Sequence, residues 1–525
     1  MSDIQLDALT EALDVLPKRC SGPGGVAGVV KDGRIVGARA WGYANLDTGQ
    51  AMTAATRLPI CSISKQFTCM ALLGALGDPA RFDGRVAEFL PDYRDSLPTM
   101  RNLCDMQSGL RDYWALTILQ GALAEQEFRR DDALPLIARM KTAHFAPGTQ
   151  YSYSNCNFRI VSEIIESETC RKLDDLYREH VWQPAGMKTA VLTSDTRHPE
   201  DGLVAYEGND TTGYFPAENA IFWIGDAGIS ASLNDMLAYE CWIDATRDDE
   251  SSLYRRISVP PGFADGRPAA YGYGLARERI ADFEFTGHGG ALRGIRAQRL
   301  HSREARLSAV VICNHEPDVH GAAAGLIHAA LGASGPQPDT VPAVWDGQFL
   351  APNGLRVCIA SGRRGATLSY ATDPDNLVLA KDGALASASG VRVTRGDEAV
   401  TMERPGDNLT VRLAPLEVRD TADGAEIAGR YRSEELEAEM EISWQDGGAY
   451  ARFTGLLGTG RFERMAPVGP DVWTLVTRRS MDAPPPGDWT LIVERDSAGQ
   501  VTGFSLGCWL ARQIPYRRVR PLDRR

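Results

Sequence analysis

The sequence predicts an α+β domain followed by two small antiparallel β-barrels. Three observations carry this expectation. Helical patterns fill the middle of residues 1–333, whereas strand-like alternation stands at both ends of that stretch. Residues 331–342, LGASGPQPDTVP, have the composition of a linker. Beyond it, helical periodicity gives way to short strands punctuated by Gly, Asp and Asn turns.

The elements follow in order. GVAGVVKDGRIVGARAWGYA, residues 25–44, alternates around Asp32-Gly33, a two-residue hairpin signal. LPICSISKQFTCMALLGAL, residues 58–76, reads as an apolar helix. LDDLYREHVWQPAGM and SLNDMLAYECWIDA continue the helical middle, and strands return near residues 270–313, ending in RLSAVVICN. In the second half, VWDGQFLAPNGLRVCIA (344–360) echoes EIAGRYRSEELEAEMEISW (426–444), aligned on Gly347-Gln348-Phe349 and Gly429-Arg430-Tyr431. The echo predicts two barrels of similar build. The expected division is 1–333, 334–420 and 421–525.

Bulk properties exclude several classes. With 525 residues, 43% hydrophobic and 24% charged, the chain reads as globular with several cores. A net charge of −13 argues against nucleic acid or an anionic membrane as a partner. No apolar run reaches the roughly 18 residues of a membrane span. MSDIQLDALTEALDVL lacks the basic start and apolar core of a secretory signal, and ten scattered cysteines include no Cys-x-x-Cys. The expectation is a cytoplasmic protein with reduced thiols.

The chemistry begins at Ser62 and Lys65, three residues apart at the head of the 58–76 helix. That spacing puts both side chains on one helix face. Burial and the helix N-terminus both disfavour a charged lysine, which makes Lys65 a candidate base for the Ser62 hydroxyl. The spacing alone is weakly specific; an N-capping serine with a snorkelling lysine fits it as well. Two further segments add weight. FAPGTQYSYSNCNFRIVSEIIE sets Tyr153-Ser154-Asn155 in a loop just before a helix, and FEFTGHGGALRG sets His288-Gly289-Gly290 on a strand. A phenol can relay a proton, a carboxamide can hold a substrate amide, and glycines admit a close backbone.

Ser-x-x-Lys, then Tyr-x-Asn, then His-x-Gly, in that order, resembles the serine hydrolases of the penicillin-binding and class C β-lactamase fold. MQSGLRDY, WQPAGMKTA and GDAGISASLNDMLAY look like stretches around that site. The resemblance covers about residues 20–333. Within the superfamily the chain is most similar to the D-aminopeptidases, which carry two barrels after the catalytic domain. The resemblance implies a β-lactamase-like catalytic domain, an antiparallel sheet with a helical subdomain. It makes Ser62 the nucleophile, with Lys65 and Tyr153 sharing base and acid work in an unresolved order. Asn155 would hold the substrate carbonyl or amide, and backbone N–H groups of Ser62 and Ala291 would form the oxyanion hole. His288 stands where many relatives have lysine, and would support Tyr153 or the substrate. A neutral imidazole suits a substrate carboxylate less than lysine does, which weakens the β-lactamase and carboxypeptidase readings.

An aminopeptidase instead needs an anion for the substrate ammonium. LVTRRSMDAPPPGDW, residues 475–489, is a proline-stiffened loop between two strand-like segments, and it carries Asp482 and Asp488. The expectation is that loop 477–488 reaches back over Ser62 and that Asp482 pairs with the ammonium. Arg478 and Arg479 could instead bind a peptide carboxylate. HEPDVH (315–320) is not a His-Glu-x-x-His site, and Pro317 interrupts its helical spacing, so no metal is expected. Cys61 is either a reactive thiol or a packed side chain.

The resulting expectation is a cofactor-free serine hydrolase. It would remove small, D-Ala-like N-terminal residues from peptides or amino-acid amides through an acyl-enzyme at Ser62, and it could form a homodimer through its barrels. The alternatives are an esterase or D-Ala-D-Ala carboxypeptidase of the same fold, and a non-catalytic penicillin-binding-type sensor.

Overall fold

The computed structural model describes residues 5–333, 339–371, 374–396, 399–419, 421, 423–477, 479–482 and 488–519. The linker residues 334–338 lie outside these, as do Arg478, residues 483–487 of the proline-rich loop and residues 520–525.

The first sheet has eight strands and is built from both ends of its domain. Gln50–Ala51, Arg34–Asn45 and Gly24–Lys31 run into Leu307–Cys313, then Ile295–Ser302, Phe283–Leu292, Leu275–Ile280 and Tyr271–Gly272. The junction is antiparallel, with Val26 opposite Ile312 and Val30 opposite Ser308. The first hairpin turns at Asp32 and Gly33, both with positive φ (51° and 73°), a conformation that Asp and Gly tolerate. Side chains alternate across this sheet, so each face has its own core. Ala27, Val29 and Val311 pack under the outer helices Leu6–Arg19 and Val319–Leu331. Val26, Val30, Val310 and Ile312 face the main core, with helices Ser64–Ala75, Asn155–Thr169 and Leu233–Ala245. Every residue from Ser64 to Leu73 is buried, so the first of these helices is a core helix all round. Among the described residues, no helix is long and apolar enough to cross a membrane.

Two closed barrels follow. The first meanders through eight strands from Gly347–Leu350 to Leu409–Pro415, and closes where Phe349 meets Pro415. The second runs from Gly429–Ser433 to Ala511–Arg518, closes where Tyr431 meets Arg518, and carries Gly458–Thr459 as an added strand. The echoed segments are the opening strands of the two barrels, each preceded by a short 3-10 turn, Ala343–Trp345 and Ala425–Ile427. Closure pairs the eight strands of each barrel on both sides, and the short strand Gly458–Thr459 pairs on one side only.

Both barrels lean on the segments that carry the site. In the first, the Asp407 carbonyl accepts from Tyr151 N (3.2 Å) and Asn408 Nδ2 donates to the Thr149 carbonyl (2.9 Å). In the second, the Leu510 carbonyl accepts from Asp112 N (2.9 Å), and Glu435 takes the buried Arg111 guanidinium at 3.0 Å.

Candidate active site

Ser62 sits in a single 3-10 turn, Cys61–Ile63, that feeds directly into the Ser64–Ala75 helix. Cys61 enters this turn with φ at +51°, a left-handed conformation unusual for a residue with a Cβ, and one that stores local strain next to the nucleophile. Its thiol is buried, donates to the Pro59 carbonyl at 3.6 Å, and is pushed up to about 12 by burial. Cys61 is therefore a packed side chain.

Lys65 is fully buried. Its ammonium donates to Ser62 Oγ (3.0 Å), Asn155 Oδ1 (2.8 Å) and the Asp226 carbonyl (2.7 Å). These contacts use all three of its N–H bonds. Burial holds its pKa down at about 8, even though the Asp226, Asp112 and Asp482 carboxylates pull upward.

Tyr153 precedes the Asn155–Thr169 helix, and its ring stands 4.9 Å from Lys65 Nζ. Burial keeps the phenol well above its ordinary pKa, while its hydrogen bond with Ser62 pulls slightly the other way. The phenol therefore stays protonated. Asn155 opens its helix with N and Nδ2 both donating to Asp112 Oδ2, at 2.6 and 2.7 Å. Nδ2 has a second N–H beyond that bond.

The strand Phe283–Leu292 runs along the other side. Gly290 lies against the nucleophile turn: a Cβ there would stand 2.5 Å from the Ile60 carbonyl oxygen and 3.0 Å from Cys61 Cβ. At Gly289 a Cβ would meet Gln298 Oε1 at 3.1 Å, and Ala291 pairs with Arg296. His288 is buried on this strand. Its Nδ1 bonds the Gly289 carbonyl oxygen, which only accepts, so Nδ1 carries the proton and Nε2 accepts from the Tyr271 hydroxyl at 2.9 Å. Burial, and then the Lys65 charge, hold its pKa down at about 3. The imidazole is neutral, with both nitrogens committed to the protein. It meets Tyr153 only ring to ring, at 5.9 Å.

Asp482 comes from the second barrel. Its backbone carbonyl accepts from Arg293 N at 3.0 Å, and Ser480 Oγ donates to its Oδ1 at 2.8 Å. Burial, and then the Asp112 charge, push its carboxyl up to about 7. Its own charge is felt at Lys65 and Cys61. The other loop carboxylate, Asp488, faces Arg356 at 4.0 Å and is half exposed, away from the cluster. Arg479 is held by Glu207 and Glu316, so its guanidinium is already taken by carboxylates.

Ser62, Lys65, Tyr153 and Asn155 thus form one connected cluster, with Gly290 packed against its turn, His288 beside the Tyr153 ring and the Asp482 charge felt at Lys65. Sequence reasoning missed Asp112, Asp226 and Tyr271. Asp226 Oδ2 accepts from the Tyr113 hydroxyl (2.9 Å) and Trp114 Nε1 (3.3 Å), under Lys65. Its only signal was its place in GDAGISAS, a stretch noted without assigning the Asp a role. In HEPDVH, His315 packs on Tyr214, Glu316 on arginines and His320 on Glu278. Among the described residues, no three His, Cys, Asp or Glu side chains gather as a metal site would need.

Comparison with known proteins agrees along the whole chain. Residues 9–334 match the Beta-lactamase family, and residues 339–517 match "D-aminopeptidase, domain B". A D-aminopeptidase of Cereibacter sphaeroides is 63% identical over 98% of this chain and 100% of its own length. A D-aminopeptidase of Brucella melitensis is 45% identical over 99% of this chain and all of its own. Among solved structures, the D-amino acid amidase from Ochrobactrum anthropi SV3, complexed with D-phenylalanine, superposes with a TM-score of 0.51 at 19% identity. It covers 62% of this chain and 98% of that one. The octameric penicillin-binding protein homologue from Pyrococcus abyssi gives 0.51 at 17% identity, covering 88% and 99%. These two share the fold. With full-length relatives this similar, the chain belongs to the D-aminopeptidase family.

Proposed function

We propose that the protein is a serine D-aminopeptidase that releases a small, D-Ala-like N-terminal residue from peptides and amides. One observation supports the reading beyond its fold: the Asp482 carboxyl is near enough for its charge to be felt at Lys65, while the imidazole at His288 brings no positive charge. That arrangement suits a substrate ammonium and not a substrate carboxylate. Support for the D configuration comes from the relatives named D-aminopeptidase.

The steps follow from the protons. Two of the Lys65 N–H bonds go to acceptors that cannot return a proton, the Asn155 and Asp226 oxygens. Only the third, toward Ser62, can be exchanged. A neutral Lys65 takes the Ser62 proton as Oγ attacks the scissile carbonyl. The oxyanion forms beside the N–H groups of Ser62 and Ala291. Tyr153, held protonated by burial, gives its proton to the departing amine and is refilled from Lys65. The amine leaves and an ester to Ser62 remains. Water then attacks the ester by the reverse proton path and frees the D-amino acid. No step needs a metal or organic cofactor.

Ten free cysteines suit a reducing cytoplasm and support that placement. A homodimer through the barrels belongs to the same proposal and is read by light scattering.

The test compares wild type and Ser62→Ala on D-Ala-p-nitroanilide, L-Ala-p-nitroanilide and N-acetyl-D-Ala-p-nitroanilide. Turnover of the free-amine D substrate alone, lost in the variant, is expected. Equal turnover of the acetylated compound would point to an esterase or carboxypeptidase instead.

A further inference from the structure

The strand that carries Ala291 ends two residues later in a tight turn, Arg293–Gly294, before Ile295–Ser302 begins. Gly294 takes φ at +74°, and a Cβ there would stand 2.6 Å from Tyr206 N, so this turn has no room to shift. The Asp482 loop is fastened to it at three points. Arg293 N donates to the Asp482 carbonyl at 3.0 Å. Glu207, buried on strand Tyr206–Asn209, accepts from Arg293 Nε and Nη2 at 3.2 and 3.1 Å and also binds Arg479. Glu316 accepts from Gly294 N at 3.0 Å and binds Arg479 Nη2 at 3.0 Å. It also pairs with Arg296 at 3.3 Å. Arg479 is three residues from Asp482, so two carboxylates of the catalytic domain grip the loop just ahead of its ammonium-facing residue.

Domain docking does not require this clasp. The same barrel is already seated by Arg111 on Glu435 (3.0 Å), Asp112 N on the Leu510 carbonyl (2.9 Å) and Gln120 Nε2 on the Leu436 carbonyl (2.7 Å). The Glu207–Arg479–Glu316 contacts join the loop to the Arg293–Gly294 turn, which the same two carboxylates also brace. A buried charge cluster of this kind is costly unless every member is paired, so loss of one member disturbs the rest.

We propose that Glu207 and Glu316 are positioning residues for substrate selection. Through Arg479 they hold Asp482 at a set distance from the oxyanion strand, so that an ammonium on the α-carbon of the acyl residue reaches it and one placed a carbon further out does not. The inference rests on the reading that Asp482 receives the substrate ammonium. The selected class is therefore α-amino acyl amides, against β-amino acyl amides such as those of β-alanine.

The experiment measures KM and kcat for D-Ala-, β-Ala- and N-acetyl-D-Ala-p-nitroanilide in wild type, Glu316→Gln and Arg479→Lys. The same Glu316→Gln change is also made on an Asp482→Ala background. Glu316→Gln is expected to raise KM for D-Ala-p-nitroanilide by about tenfold or more, with kcat within about threefold. The preference for D-Ala over β-Ala should fall by a similar factor. Arg479→Lys keeps the charge but cannot fork between two carboxylates, and should give a smaller loss of the same kind. On the Asp482→Ala background, Glu316→Gln should add less than about twofold, because the carboxylate it positions is gone. Wild-type KM and preference in both single variants would overturn the clasp, and so would an equal further loss on the Asp482→Ala background. If Glu316→Gln fails to fold, Arg479→Lys decides the matter with the same readouts. A wild type that hydrolyses the acetylated substrate as well as the free amine would overturn the ammonium reading itself, and the clasp with it, whatever the variants do.

Discussion

Asp482→Asn isolates the charge that the proposed function assigns to the substrate ammonium. The change is nearly isosteric, so the loop and its bond from Arg293 N survive. What is lost is one charge-assisted contact with the substrate ammonium, worth roughly 1.5–3 kcal/mol, or about a 10- to 150-fold rise in KM at pH 8. Two pH signatures accompany it. The carboxyl titrates near pH 7, so the wild-type KM for D-Ala-p-nitroanilide should climb as pH falls through 7, whereas the variant's should stay flat. Asp482 also helps raise the pKa of Lys65, so its neutralisation should move the rising limb of kcat slightly below pH 8. Stability gives an independent check of the same pKa. The folded carboxyl holds its proton to about pH 7 against an ordinary value of 3.8. The folded state therefore binds more protons than the unfolded state between those values, and stability falls as pH rises through that window. Asp482→Asn should remove this decline, so the Tm of the variant relative to wild type rises from pH 4 to pH 8. Steady-state kinetics with nitroanilides from pH 5.5 to 9 and calorimetry from pH 4 to 8 suffice. An unchanged KM at pH 8, or an equal loss on the N-acetylated substrate, would refute the assignment.

Lys65→Met should slow acylation by about 10²–10⁴-fold with little change in KM, read from p-nitroaniline release. It should also stabilise the fold near pH 7. The folded lysine titrates at about 8 against 10.5, a cost on the order of 3 kcal/mol that is full below pH 8 and gone above 10.5. Asp226→Asn removes the largest upward influence on Lys65 and should shift the rising limb of the kcat–pH profile to lower pH. An unmoved limb would mean that Lys65 does not set it. His288→Gln keeps a neutral side chain and should leave the profile between pH 5 and 9 unaltered in shape, because His288 loses its proton near pH 3.

What was legible in the sequence was local. Ser62 and Lys65 stand at the head of one helix, Tyr153 and Asn155 at the start of another, and His288 to Ala291 on one strand, so short spacing fixes their relative geometry. The 475–489 segment drew notice for its prolines and its carboxylates, and Asp482 was singled out because an ammonium needs an anion. The barrels showed in alternation and in the repeated opening strand. The groups that tune this site are joined across long separations, with no local pattern to betray them. Asp226 meets Lys65 across 161 residues and Asp112 meets Asn155 across 43. Tyr271 accounts for what His288 does, yet it lies on a different strand. Glu316 sat inside a motif read only for metals, while its partner Arg479 came from another domain.

The site's electrostatics also explain why a barrel loop is involved at all. Lys65 must be easy to neutralise, which requires burial, and burial raises the cost of any charge nearby. A carboxylate placed on the catalytic domain's own strand, at the position of His288, would stand beside Lys65 and pull its pKa up, against the chemistry. Supplying the anion from outside separates the two demands. On the proposed reading the barrel loop presents Asp482 to the substrate, and its influence on Lys65 ranks behind those of Asp226 and Asp112. The cost appears as a carboxyl raised to about 7 by burial. The ammonium then restores the lost solvation when substrate arrives, so the pair is strongest in the complex and the empty enzyme carries the strain. On this account the free-amine requirement and the mild acid sensitivity of KM have one origin, and Asp482→Asn should abolish both together.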